Sequence, residues 1–171
     1  MPLQELGIKR KFNYISRVNI HRAVLVYAIL GCCFSSGLSQ VSNAYFDEHR
    51  AKADSLSEVY GIPVCVILGV GYHESAGGSS TVAQKLNNHF GLAGNCREDI
   101  SHHKSRYRYY PTVVDSFNGF CEWVACRSFY PEMKGTAGDL SWLQKIRSAG
   151  YASDGNWANS VHKIIVKHCG N

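Results

Sequence analysis

Glu74 is the residue of this 171-residue chain whose setting points most directly to chemistry. It closes the apolar run "VCVILGVGYHE" and is followed at once by the small, polar cluster "SAGGSS". A carboxyl group at the end of an apolar helix is partly desolvated, which favours its protonated form near neutrality. A carboxylic acid that keeps its proton is what a glycosidic oxygen needs as a general acid. The plain alternative is a helix-end carboxylate facing water.

Other chemistry-bearing residues form weaker patterns. His73, His89, His102 and His103 invite a metal reading, but Gly77 stands where H-E-x-x-H needs its second histidine. They read as hydrogen-bonded or exposed side chains, with no metal and no cofactor expected. Five cysteines follow residue 39, namely Cys65, Cys96, Cys121, Cys126 and Cys169, an odd number that leaves at least one unpaired or paired between chains. There is no C-x-x-C, and the spacing of Cys121 and Cys126 is not that of a zinc knuckle. Cys65 lies inside the apolar run and reads as a plain core residue, not as an exposed thiol nucleophile. Tyrosines interleave with Arg106 and Arg108 in "RYRYY". Such rings stack on bases but equally on sugar faces.

Charge decides against nucleic acid. The net +5 resides mostly in residues 1–39, which hold five basic side chains (Lys9, Arg10, Lys11, Arg17, Arg22) against Glu5. The remaining 132 residues are close to neutral. A basic stretch, then "AVLVYAILGCCF", then "SSGLSQ" is the order of a secretory leader. Twelve apolar residues fall short of the ~20 that span a bilayer core. "ILGC" is similar to a lipobox, in which Cys32 would be lipidated. A cleaved signal, a lipidated Cys32 and an uncleaved anchor are all compatible with the order. The expected organisation is therefore a leader over 1–39 and one domain over 40–171. Apolar residues at 45% and charged residues at 18% permit a real core and exclude a disordered chain.

The elements that must position Glu74 read as helices. Apolar spacing predicts one over Val41 to Tyr60, closed by Gly61. Pro63 opens a second, apolar nearly all round and so buried centrally. Thr81 and Gln84 suggest a capping box for a short third helix. "RYRYY" alternates like a strand. Asp115 is the expected cap of a helix carrying Phe117, Phe120, Cys121 and Val124. Further helices are expected from Asp139 to Ala149, with Leu140, Leu143 and Ile146 inward, and from about Asp154 onward. That last helix shows Trp157, Val161, Ile164, Ile165 and His168 on one face.

Three blocks carry a family resemblance. "GYHESAGGSSTVAQKLNNHFGL" is similar to the signature of bacterial endo-β-N-acetylglucosaminidases of glycoside hydrolase family 73. That signature has a helix ending in Glu-Ser, a glycine/serine turn, a short helix, then Asn-Asn-x-Phe-Gly. "YRYYPTVVDSF" and "AGYASDGNWA" resemble two further blocks of the family, in the same order, and together the three cover about Gly61 to Val166. The resemblance implies an α+β, mainly helical, lysozyme-like domain with a small β lobe. It implies cleavage of peptidoglycan glycan strands by a monomer outside the cytoplasm. Glu74 aligns with the family's catalytic acid and Tyr151 with the tyrosine facing it. Asn88, Phe90 and Tyr110 align with positions that bind substrate or support the groove. Trp157 stands where the family has tyrosine, a mild change on an apolar helix face. The second carboxylate is open: Glu98 or Asp99 could activate water, or the acetamido group of the sugar could attack instead. A muramidase or lytic transglycosylase of the same fold is the nearest rival, and a non-catalytic wall-binding or assembly protein the more distant one.

Overall fold

A computed structural model describes residues 43–93 and 106–169. Its centre is α2 (Val64–Ser75), which runs between α1 (Ala44–Tyr60) and α7 (Trp157–His168). Val66, Ile67, Leu68 and Val70 of α2 are fully buried, as its unbroken apolar run requires. Two glycines let the neighbours come close. A β-carbon at Gly69 would meet Ile165 Cγ1 of α7 at 2.5 Å, and one at Gly71 would meet the Tyr45 hydroxyl of α1 at 2.7 Å. Both approaches are closed to any larger residue without a shift of the partner helix.

The helix ends follow local chemistry, with some differences from the sequence reading. Gly61 closes α1 in the left-handed conformation, its N–H donating to the Ser57 carbonyl. The short helix α3 (Thr81–Leu86) begins at Thr81, but the expected Thr81–Gln84 box does not form: Ser80 is the cap and accepts from the Ala83 N–H at 3.1 Å. In α4 (Val113–Ala125) the cap is Thr112, and Asp115 closes a reciprocal box by accepting from the Thr112 N–H at 3.0 Å. A one-turn helix α5 (Tyr130–Met133), not legible in the sequence, precedes α6 (Asp139–Ser148). In α6 the buried side chains are Trp142, Leu143 and Ile146, while Leu140 is half-buried. On α7, Trp157, Val161, Ile165 and His168 are buried as the periodicity requires, with Ile164 half-buried.

No strand occurs among the described residues, so the β lobe is not seen there, and the expected strand at 106–110 is irregular. The segment is held by scattered bonds instead of a ladder. Arg108 and Tyr110 donate their N–H groups to the Leu92 and Leu86 carbonyls, both at 2.9 Å. The side-chain amides of Asn87 and Asn88 donate to the Tyr110 and Arg108 carbonyls at 2.9 and 3.0 Å. Two asparagine side chains therefore do the work that a second strand would do.

Cys65 is not a plain core residue. It is disulfide-bonded to Cys169, with Cα atoms 5.8 Å apart and 104 positions between them in sequence, which ties the start of α2 to the residue after α7. Cys126 is also disulfide-bonded. Among the described residues Cys121 is the free cysteine, fully buried, its thiol pushed up in pKa by burial and so unreactive.

Candidate active site

Glu74 is the penultimate residue of α2 and half-buried. Beyond it the chain turns through three successive left-handed residues, Ala76, Gly77 and Gly78. Ser75 braces that turn: its hydroxyl donates to the Gly71 carbonyl at 2.6 Å and accepts from the Gly78 N–H at 2.8 Å. Here a polar side chain replaces the backbone partners that the broken helix has lost.

The carboxylate opens on a cleft of about 420 Å³, whose lining includes Trp123, Arg127, Tyr151 and the chain from Phe90 to Ala93. Two hydrogen bonds organise it. The Trp157 indole N–H donates to Glu74 Oε1 at 2.7 Å. The Tyr151 hydroxyl donates to the Phe90 carbonyl at 2.7 Å. An indole N–H can only donate, so Oε1 is the acceptor in both protonation states of Glu74. The proton of the acid form then belongs on Oε2, on the side of Gly91, where a β-carbon would lie 3.8 Å from that oxygen. Burial, and then the nearby Glu74 charge, hold the Tyr151 phenol far above its ordinary pKa. Tyr151 is therefore a neutral hydroxyl in the cleft and not a base.

The ring stack extends outward from these two bonds. Tyr151 packs on Trp157 and Trp123 with centroids 5.3 and 5.1 Å apart. Phe90 stacks on Phe120 at 4.4 Å, which places the carbonyl that Tyr151 uses. Asn88, Phe90 and Tyr110 are 1%, 1% and 5% exposed. Asn88 and Tyr110 do not line the cleft, and the Phe90 ring packs inward on Phe120. Asn88 accepts from the Phe90 and Leu92 N–H groups and donates to the Leu92 and Arg108 carbonyls, so its polar atoms are used within the chain. Tyr110 rests against Gly119, where a β-carbon would meet its hydroxyl at 2.6 Å. Asn88 thus braces the 90–93 wall, while Tyr110 packs against α4.

Trp157 is the residue the sequence reading undervalued. It appears there as a packing change, whereas its N–H reaches across 83 positions to the carboxylate. Glu98, Asp99, His102, His103 and the leader with Cys32 lie outside the described residues. Glu74 is the one carboxylate among the described residues that line the cleft. Among the described residues no three His, Cys, Asp or Glu side chains are grouped to hold a metal ion.

A carboxyl group oriented by a fixed donor at the edge of an aromatic-walled cleft suits the general acid of a glycosidase. Residues 50–169 match the glucosaminidase family, described as mannosyl-glycoprotein endo-beta-N-acetylglucosaminidase, and the chain belongs to that family of glycosidases. No curated protein matches the chain. Solved structures share the fold. A peptidoglycan hydrolase from Sphingomonas sp. A1 is 17% identical with a TM-score of 0.60, covering 71% of this chain and 86% of its own. A C-terminally truncated glycoside hydrolase domain of Salmonella typhimurium FlgJ is 18% identical with a TM-score of 0.56, covering 71% and 93%. A type VI secretion system effector-immunity complex from Pseudomonas protegens is 19% identical with a TM-score of 0.58, covering 72% and 87%.

Proposed function

We propose that this protein is an exported peptidoglycan hydrolase that cuts the β-1,4 bond between N-acetylglucosamine and N-acetylmuramic acid, with Glu74 as the general acid. The observation that carries the reading is the Trp157–Glu74 hydrogen bond at the rim of the cleft, with Tyr151 on the adjoining wall. Glu74 Oε2 delivers its proton to the leaving oxygen as the anomeric C–O bond breaks. The sugar's own acetamido oxygen closes on the anomeric carbon, and water then opens that ring while Glu74 takes a proton back. Tyr151 suits this route. Its hydroxyl hydrogen is spent on the Phe90 carbonyl, so its oxygen remains free to accept the acetamido N–H and hold the group for attack. Two features support export: the leader-like order of residues 1–39 and the Cys65–Cys169 disulfide, a bond that persists in oxidising compartments. Leader cleavage, or lipidation at Cys32, would then set whether the enzyme is released or held at a membrane. A complete cleft within one chain is consistent with action as a monomer.

The test is the chemistry of the ends that the enzyme leaves on purified peptidoglycan, read by mass analysis and by the anomer first released. The reading predicts reducing-end N-acetylglucosamine with retained configuration. Muramic acid ends, reducing or anhydro, would assign the chain to the muramidase or transglycosylase class. Release of nothing would make it a wall-binding protein. An inverted product, together with an inactive Glu98→Gln enzyme, would replace the acetamido nucleophile by a water activated at Glu98 and leave Glu74 as the acid.

A further inference from the structure

Arg127 follows the end of α4 and lines the same cleft as Glu74. Its guanidinium lies over the Trp123 ring, 3.9 Å from the centroid, and its Nε donates to the Trp123 carbonyl at 3.1 Å. The stack and the bond fix the plane of the group. They use one N–H of the five that a guanidinium carries, and no described residue accepts from the other four. Trp123 packs on Tyr151, Tyr151 packs on Trp157, and Trp157 holds Glu74. One row of rings therefore joins the cation to the acid. Of the described side chains lining the cleft, Arg127 is the only cation and Glu74 the only anion.

A neutral sugar polymer offers a guanidinium fork only single uncharged hydroxyl and carbonyl acceptors, whereas a carboxylate matches it in shape and charge. Resting on the peptidoglycan reading above, we propose that Arg127 selects the substrate by binding a carboxylate carried by the glycan on a saccharide next to the scissile bond. That carboxylate belongs either to the peptide stem or to the lactyl group of a stem-free muramic acid. It binds to the Nη donors, while the Trp123 stack keeps them aimed at it.

The experiment measures binding in a Glu74→Gln background, where turnover does not interfere. Three soluble ligands of equal glycan length are compared: one with peptide stems, one stripped to bare lactyl carboxylates, and a neutral N-acetylglucosamine oligomer. Adding Arg127→Gln is expected to weaken a carboxylate-bearing ligand at least ~10-fold more than the neutral one, as loss of a charged hydrogen bond does. Which carboxylate ligand shows the loss identifies the source. Arg127→Lys should recover only part of it, because an ammonium keeps the charge without the fork. In the parent, added salt should weaken the carboxylate ligand and spare the neutral oligomer, and this arm does not depend on any Arg127 variant folding. Equal weakening of charged and neutral ligands, or no weakening of either, would overturn the proposal and leave the glucosaminidase reading standing. Failure of the parent to bind any of the three would overturn both.

Discussion

Two aromatic clusters flank α2, and they treat titratable groups in opposite ways. On the cleft side, Trp157 and Tyr151 surround Glu74, which keeps one carboxylate oxygen on the open side. On the α1 side, Tyr45, His49, His89 and Phe117 pack ring against ring beside a second cavity of about 340 Å³. There the ring Nδ1 atoms and the Tyr45 hydroxyl are paired internally. Tyr45 Oη and His89 Nδ1 are 3.0 Å apart, Lys52 Nζ and His49 Nδ1 are 3.1 Å apart, and the His89 N–H donates to Ser116 Oγ at 2.9 Å. Burial, followed by the neighbouring His49, drives His89 down to about 4, and burial followed by Lys52 lowers His49. The histidines with disturbed pKa values thus sit in this ring cluster, away from the cleft that holds Glu74. The comparison teaches that a shifted pKa does not by itself mark the reacting site here, since the buried histidines share that property with Tyr151, while the cleft is marked by an oriented group left partly unspent.

The largest effect that would sharpen this contrast is acid lability. Above pH ~6.5 both folded and unfolded His89 are neutral, so its contribution is fully present. Between ~6.5 and about 4 the unfolded chain takes up a proton that folded His89 refuses, and stability falls as the pH drops. The slope is about 1.4 kcal/mol per pH unit for that one group. His49 adds in the same direction. Urea unfolding at a series of pH values should show the loss in wild type and a flatter curve in His89→Gln. An unchanged curve would mean that this cluster does not set acid stability.

Next in size is Trp157→Phe, which keeps the apolar face and removes only the N–H. Loss of a hydrogen bond to a charged group predicts a ~10–100-fold fall in kcat. The acid form of Glu74 would also lose its fixed geometry, so the pH profile of kcat should move. A thermal midpoint that drops while kcat and its pH profile stay put would make Trp157 a packing residue only. Smaller still, Tyr151→Phe removes one neutral hydroxyl and should lower kcat by up to ~10-fold. It should do so with little change of KM if Tyr151 orients the acetamido group during reaction. A pure stability loss would return it to the core.

Much of the helical frame was legible because each helix carries its own periodicity and stop. Gly61, the unbroken apolar run of α2 and the Trp157–Val161–Ile165–His168 stripe all behave as read. Helix starts were less legible where two capping residues lie together. Thr81, with Gln84 three residues on, matches the box pattern, yet the extended backbone at Ser80 makes Ser80 the cap. Long-range partners were not legible at all. The apolar context of Cys65 hides a disulfide to a residue 104 positions away. The alternation of 106–110 suggests a strand, yet side chains of Asn87 and Asn88 take up its carbonyls. Glu74 and Tyr151, read from their motifs, line one cleft. Trp157 was missed because its role arises only when the start of α7 crosses the end of α2.

The central claim is that the Glu74 carboxyl is the proton donor, and the rate of glycan cleavage by Glu74→Gln tests it most directly. The amide is nearly isosteric and can still accept the Trp157 N–H through its oxygen, so the thermal midpoint should stay near that of wild type. It cannot give up a proton to the leaving oxygen, and release of new reducing ends from purified peptidoglycan should fall by ~10²–10⁴-fold. Cleavage within a few-fold of wild type by a folded Glu74→Gln enzyme would contradict the account.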